Sequence, residues 1–248
     1  KTAELIKKYK DNRYLMLIFL PVILCYFIFK YVPIYGVILA FKHYNFSDGI
    51  LGSPWAGLDN FRSMFRGISF MNVFRNTLVI SSLKLIFGFP APVFLAVLFN
   101  ELPNRHFKKI TQTVSYLPYF FSWVVIGGVL TQILSASGPI GYVFSTLGMK
   151  PISFMIDPFW FRVVVILSSI WKNIGWGSIV YLAAIAGINP ELYEAAYVDG
   201  ATRIKRIINI TIPCIVPTIT IMFILNAGNI IYDDFDQIFN MYNPAVYK

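Results

Sequence analysis

The sequence predicts an all-α integral membrane protein, and three observations carry that prediction. The chain of 248 residues is 57% hydrophobic and 13% charged, where soluble domains hold roughly 45–50% apolar and about 25% charged residues. The apolar residues gather into five runs, at residues 14–41, 74–99, 110–134, 158–188 and 212–232. Each exceeds the ~20 residues a helix needs to cross the hydrocarbon core. Lys and Arg, which bring the net charge to +9, gather in alternate connections between the runs, as cytoplasmic membrane loops do. That pattern explains the charge without nucleic acid, so no nucleic-acid partner is expected. Two cysteines (Cys25, Cys214) and two histidines (His43, His106) supply neither a disulfide framework nor a metal cluster. The first run is too long for a removable signal peptide and lacks a small-residue cleavage site.

Taken in order, residues 1–13 form a basic segment with Lys1, Lys7, Lys8, Lys10 and Arg13. It is expected in the cytoplasm, and residues 14–248 form the transmembrane domain. The first run is interrupted by Lys30, Pro21 and Pro33 and is long enough to tilt or protrude. Residues 42–73 mix aromatics with the turn formers Gly49, Gly52, Pro54 and Gly57. They predict an ordered external loop with an interfacial helix near residues 59–65. The second run holds Lys84, with Pro90 and Pro92 able to kink it. A short basic turn leads to the third run, which reads as a span with Pro118 inside. Residues 135–157 are a Gly/Pro-rich loop. The fourth run carries Trp171, Lys172, Asn173, Trp176 and Tyr181, and the tail after the fifth carries Asp233, Asp234 and Asp236. No internal repeat is evident, so the inverted-repeat signature of many secondary transporters is not seen.

Charge sets the expected topology. The N-terminus, the turn at 100–110 and the loop 189–212 hold five, three and three Lys/Arg, against one each in the loop 135–157 (Lys150) and the tail (Lys248). The loop 42–73, with Lys42, Arg62 and Arg66, is ambiguous. The balance places the N-terminus and the loop 189–212 in the cytoplasm of a multi-pass protein of the cell membrane. Five spans then leave the C-terminus outside.

No G-x-x-x-x-G-K-S/T phosphate loop occurs, nor any G-x-S-x-G, H-E-x-x-H, C-x-x-C or kinase signature. The loop carboxylates have no partner at catalytic spacing, so no catalytic or metal residue is assigned and no cofactor is expected in this chain. Lysines inside apolar runs are more telling. Each costs about 2.5–3.5 kcal/mol or more if it faces lipid at mid-membrane. Lys30 lies late in its run and can snorkel, whereas Lys84 and Lys172 lie mid-span. Trp171, Lys172, Asn173 and Trp176 fall within two helical turns, beside Gly175 and Gly177. Two readings stand for them: a site where rings cover sugar C–H faces and polar groups bond hydroxyls, or close helix packing around an interhelical hydrogen bond. The same two readings stand for Asn226 and Asn229.

The loop 189–217 is the most structured polar stretch. Asn189 is a helix cap and Pro190 suits the first helical position. A short helix is expected through Glu191, Glu194, Ala195, Ala196 and Asp199, broken at Gly200, which takes the left-handed conformation cheaply. A basic stretch with Arg203, Lys205 and Arg206 follows, expected on the membrane surface, before Pro213 and Pro217 mark the return to an apolar run.

This loop resembles the EAA loop of the membrane subunits of binding-protein-dependent ABC importers: E-A-A, three residues, G, nine residues, I-x-L-P. Here the pattern is Glu194, Ala195 and Ala196, then Gly200, then Ile210 to Pro213, with Ile212 where Leu is usual. A chance match is on the order of one in ten million per start position at average residue usage, which makes the likeness specific. The words E-L-Y-E-A-A-Y-V-D-G-A, Y-V-P-I-Y-G, A-F-K-H-Y-N-F and G-L-D-N-F look like the carbohydrate branch, of the oligosaccharide/polysaccharide permease type related to maltose-type permeases. The likeness covers nearly the whole chain.

The resemblance implies an ABC importer type I permease bundle. Glu191, Glu194, Ala195, Ala196, Asp199, Gly200 and Ala201 would dock on a separate ATP-hydrolysing subunit, where ATP and Mg would be bound. It implies a second permease subunit, two ATP-binding subunits, an extracytoplasmic solute-binding protein and a sugar or oligosaccharide as cargo. Lys172, Asn173, Trp176 and Asn226 are the expected substrate-path residues. These permeases have six core spans and end inside. A sixth span in the natural chain is therefore expected beyond the five visible here, the alternative being a topology that differs. Competing functions are an ABC permease for another solute, such as a peptide or phosphonate, an ion-driven secondary transporter, and a membrane scaffold. The secondary transporter would need acidic residues mid-span, and the runs hold none there.

Overall fold

The computed structural model describes residues 12–228, 235–243 and 246. The described chain is helical, with one isolated antiparallel bridge between Lys42 and Trp55. It divides into two compact units, Lys1–Met71 and Asn72–Lys248.

In the first unit, α1 (Arg13–Phe41) is 29 residues long, apolar enough to cross a membrane, and exposes its side chains. The connection after it is ordered by a buried cation. Lys42 is 5% exposed; its Nζ donates to the carbonyls of Ile50 and Leu51 at 2.9 and 2.8 Å and sits 5.1 Å from the Trp55 ring centroid. Those bonds satisfy backbone carbonyls that a turn leaves without helical partners. The helix α2 (Asp59–Arg66) stands where the sequence predicts an interfacial helix. Asn60 ties it back by donating to the carbonyls of Ala40 and Lys42.

The remaining helices are α3 (Phe70–Glu101), α4 (Arg105–Phe120), α5 (Trp123–Ile133), α6 (Pro139–Thr146), α7 (Pro158–Ala186), α8 (Pro190–Val198), α9 (Arg203–Gly228) and α10 (Phe235–Met241). The centre of the second unit is α7, against which α3, α4 and α9 pack. One core joins Ala96 and Val97 of α3 to Tyr181 and Ile185 of α7 and Ile215 of α9. The other joins Ile80, Trp123, Ile126, Phe161, Val165 and Met241. Gly175 of α7 lies against the backbone of α4: a Cβ there would sit 1.9 Å from the Ser115 carbonyl oxygen. Only glycine permits that approach.

Four helices, α1, α3, α7 and α9, are long and apolar enough to span a membrane, and five spans result if α4 and α5 count as one. The expected third span is broken in the middle, where α4 and α5 meet at 100°. Pro118 sits in a tight last turn, Leu117–Phe120. Phe121 then turns to extended backbone, and the hydroxyl of Ser122 caps α5 by accepting from the Val125 N–H. A helix ended by one residue and restarted by the next cannot run straight.

A second correction concerns the basic stretch after Gly200. It does not form a helix of its own: Arg203, Lys205 and Arg206 form the first turn of α9, whose start Thr202 caps through the Lys205 N–H. The prolines explain how α9 continues. Three spans contain a widened π-turn, Phe27–Tyr31, Lys84–Gly88 and Ile207–Thr211, and each ends two residues before a proline, at Pro33, Pro90 and Pro213. A proline lacks an N–H and its ring presses on the carbonyl four residues back. The extra residue of a π-turn moves that carbonyl away, so the helix passes the proline without breaking.

Candidate functional site

The helix α8 is built by local chemistry. Asn189 Oδ1 accepts from the Glu191 N–H at 3.1 Å, and Pro190 occupies the first position. At the other end Gly200 has φ of 73°. The Ala201 N–H reaches the Ala196 carbonyl at 2.9 Å and the Gly200 N–H reaches Tyr197 at 3.0 Å, the doubled closure of a glycine-ended helix. Glu191, Glu194, Ala195, Asp199 and Gly200 are exposed, and Ala196 and Ala201 are half-buried. Tyr197 and Val198 are 72% and 84% exposed, an apolar surface beside acidic groups. A hydrogen bond holds α8 to α9, the hydroxyls of Tyr193 and Thr211 lying 2.9 Å apart with Thr211 1% exposed, and the Arg206 guanidinium lies 5.8 Å from the Tyr197 ring centroid. Tyr193→Phe and Thr211→Val should each lower stability by about 0.5–1.5 kcal/mol. In a thermal-unfolding double-mutant cycle their effects should be less than additive, since they share one bond.

The structure separates the four expected substrate-path residues. Lys172 is 9% exposed. Its Nζ donates to the carbonyls of Tyr119 at 2.8 Å and Phe121 at 2.6 Å, and lies 5.5 and 5.4 Å from the centroids of the Tyr119 and Trp123 rings. It fastens the bend between α4 and α5, where a broken helix leaves carbonyls without backbone donors. Trp176 stacks on Tyr119 at 4.6 Å and 5°, and meets Phe120 edge-on. Asn173 and Asn226 lie together instead, lining a cleft of about 330 Å³ between α3, α7 and α9. Asn229 lies outside the described residues.

That cleft has a polar lining set in apolar walls. The Asn173 and Asn226 amide nitrogens donate to the carbonyls of Ser169 and Met222, one turn back on their own helices. The amide oxygens therefore stand as acceptors. Ser81 Oγ is buried with no hydrogen-bond partner among the described residues, and Lys84 opens the π-turn of α3 beside it. Amide acceptors, a hydroxyl and an ammonium among the lining residues of a cleft of this size suit a small polar solute.

Sequence reasoning passed over Gln237 of α10, which is fully buried. Its Nε2 donates to the Val165 carbonyl at 2.7 Å and to Ser168 Oγ at 3.0 Å, and its Oε1 accepts from Lys84 Nζ at 2.8 Å. Arg162 was also missed; it donates to Asn76 Oδ1 at 3.0 Å. An amide between Asp236 and Ile238 in an apolar stretch was the available signal for Gln237, since a buried amide requires partners.

The sequence profile of the family described as binding-protein-dependent transport system inner membrane component matches residues 88–233. Protein LplB of Bacillus subtilis (strain 168) is 40% identical over 94% of this chain and 74% of its own length. The polygalacturonan/rhamnogalacturonan transport system permease protein YteP of the same organism is 38% identical over 99% of this chain and 77% of its own. Among solved structures, a chain of a bacterial ABC transporter involved in the import of the acidic polysaccharide alginate superimposes with a TM-score of 0.89. It is 41% identical over 98% of this chain and 82% of that one. A chain of the alginate transporter in complex with an alginate pentasaccharide-bound periplasmic protein gives a TM-score of 0.86 at 41% identity, over 97% of this chain and 80% of that one.

Proposed function

Because this chain belongs to the inner membrane components of binding-protein-dependent transport systems, we propose that it forms half of the translocation path of an ATP-driven importer for a saccharide. What supports the cargo is the likeness to a polygalacturonan/rhamnogalacturonan permease and to an alginate importer, together with the polar cleft of Asn173, Asn226, Ser81 and Lys84. A second, related permease completes the path. An extracytoplasmic binding protein delivers the solute, as supported by the alginate transporter solved with its periplasmic protein. Two separate subunits hydrolyse ATP, with Mg, on the cytoplasmic side, where the N-terminus also lies.

The observation that carries the coupling role is the geometry of α8. A short helix stands capped at both ends, exposes Glu194, Ala195, Tyr197 and Val198, and is tied to a spanning helix through Tyr193 and Thr211. Small residues let a partner approach the backbone, and the acidic groups meet its basic ones. A push on α8 is transmitted to α9 through the Tyr193–Thr211 bond and the short link at Gly200. ATP-driven closure of the paired ATPases would thereby switch the path between inward and outward access.

The test is uptake in proteoliposomes holding the full complex. ATP should drive accumulation of saccharide, with unlabelled saccharide competing and peptide not. Uptake that persists without ATP under an imposed ion gradient would overturn the proposal. Glu194→Lys and Gly200→Pro should weaken retention of the ATPase subunits or let hydrolysis run without transport. Wild-type uptake and co-purification in both variants would remove the coupling role from α8.

A further inference from the structure

The cleft between α3, α7 and α9 has two ends, and the cores tell them apart. Ala96 and Val97 of α3 share a core with Tyr181 and Ile185 of α7. Ile80 of α3 shares the other with Phe161 and Val165 of α7. The two helices therefore run in the same direction, and α8 follows the end of α7. Among the lining residues, Pro92 and Tyr181 mark the end of the cleft nearer α8, and Lys84 and Ser169 the end away from it. Gln237 of α10 stands at that second end. Its Oε1 accepts from Lys84 Nζ, and its Nε2 donates to the Val165 carbonyl and Ser168 Oγ, just beyond Ser169 along α7. α10 thereby roofs the end of the cleft that lies away from α8.

The roof is thinly attached. α10 has seven residues, and its buried side chains are Gln237 and Met241, one turn apart; Phe235 and Phe239 are exposed. Gln237 holds its three partners at 2.8, 2.7 and 3.0 Å, and none of the three contacts is an ion pair. Such bonds are modest in net strength, because water or a solute hydroxyl can replace them once the groups separate. Elements that open during a working cycle are drawn from segments with few buried contacts. We propose that α10 is a gate over the end of the cleft away from α8, and that Gln237 is its latch, broken when solute passes that end and remade when the path turns to the other side. The proposal rests on the reading of the cleft as part of the solute path and adds the element that closes it.

The test places one thiol in the cleft. Asn173→Cys is combined with Cys25→Ser and Cys214→Ser in the complete complex, reconstituted in vesicles, and a membrane-impermeant maleimide is added from either side without ATP. With Gln237 in place, labelling from the side away from α8 should be slower than from the α8 side by about tenfold or more. Gln237→Leu fills nearly the same space but offers nothing to Lys84 or Ser168. It should speed labelling from the side away from α8 by about tenfold and leave the other side unchanged. Ser168→Ala removes one partner of the latch and should give a smaller rise of about threefold. Thermal unfolding of the same preparations shows that the complexes are intact. Equal labelling from both sides with Gln237 in place overturns the gate and leaves the path reading standing. So do unchanged rates in both variants, or a rise from both sides alike, which is what general loosening would give. If the thiol is labelled from neither side in any of these complexes, the reading of the cleft as solute path fails, and the gate with it.

Discussion

Gly175→Ala is expected to prevent the second unit from assembling. The added methyl would sit 1.9 Å from the Ser115 carbonyl oxygen and 2.4 Å from its carbon. Neither atom belongs to a side chain that can rotate away, so α4 and α7 would have to separate by more than an ångström. Overpacking costs about 1–3 kcal/mol where side chains yield and more where they cannot. Separation here would also loosen the bend at Tyr119 and Phe121, which Lys172 of α7 holds. The measurement is monodispersity and thermal stability of the purified protein. Gly128→Ala is the matched control, because a Cβ at Gly128 meets nothing within 4 Å. Equal behaviour of the two variants would contradict the close approach of α4 and α7.

Lys172→Met is expected to destabilise the protein rather than simply to reduce uptake. The substitution keeps an unbranched chain of similar length but leaves the carbonyls of Tyr119 and Phe121 without their donor. A buried acceptor left unsatisfied costs about 1–3 kcal/mol, and little water is available inside a membrane protein to replace the bond. The two ring contacts, with Tyr119 and Trp123, are lost as well. Lys172→Arg should recover part of the stability, because it keeps the charge while its planar fork fits two diverging carbonyls less well. Thermal unfolding and uptake, measured on the same preparations, separate the two roles. A residue that only touches cargo would show normal unfolding and impaired uptake. A residue that fastens the bend should show a lowered unfolding temperature even with no solute present.

Lys172 and Lys84 also show where sequence reasoning stopped. Both are cations inside apolar runs, and hydropathy alone says that each must face something polar. It does not say what. Lys172 turned to a broken backbone, 51 and 53 residues away in sequence, and Lys84 to a glutamine 153 residues away. Of the four residues expected along the substrate path, Asn173 and Asn226 line one cleft. Trp176, adjacent to Asn173 by helical position, instead spends a ring face on Tyr119.

By itself the sequence determined the helical membrane class, the approximate limits of the apolar helices at 14–41, 74–99 and 158–188, the capped helix after Asn189 and its end at Gly200. It also carried the family pattern around Glu194. All of these rest on near neighbours: the length of an apolar run, a cap two residues from the N–H it accepts, a glycine at a positive φ. Only the tertiary structure decided the 100° break after Pro118 and the joining of Arg203–Arg206 to the last span. It alone decided the π-turns two residues before Pro33, Pro90 and Pro213, and the partners of Lys84 and Lys172. A proline can end, kink or be bypassed in a helix, and a buried ammonium can bond a carbonyl or an amide, at similar local cost. The choice among them falls to whichever backbone or side chain packing brings within about 3 Å.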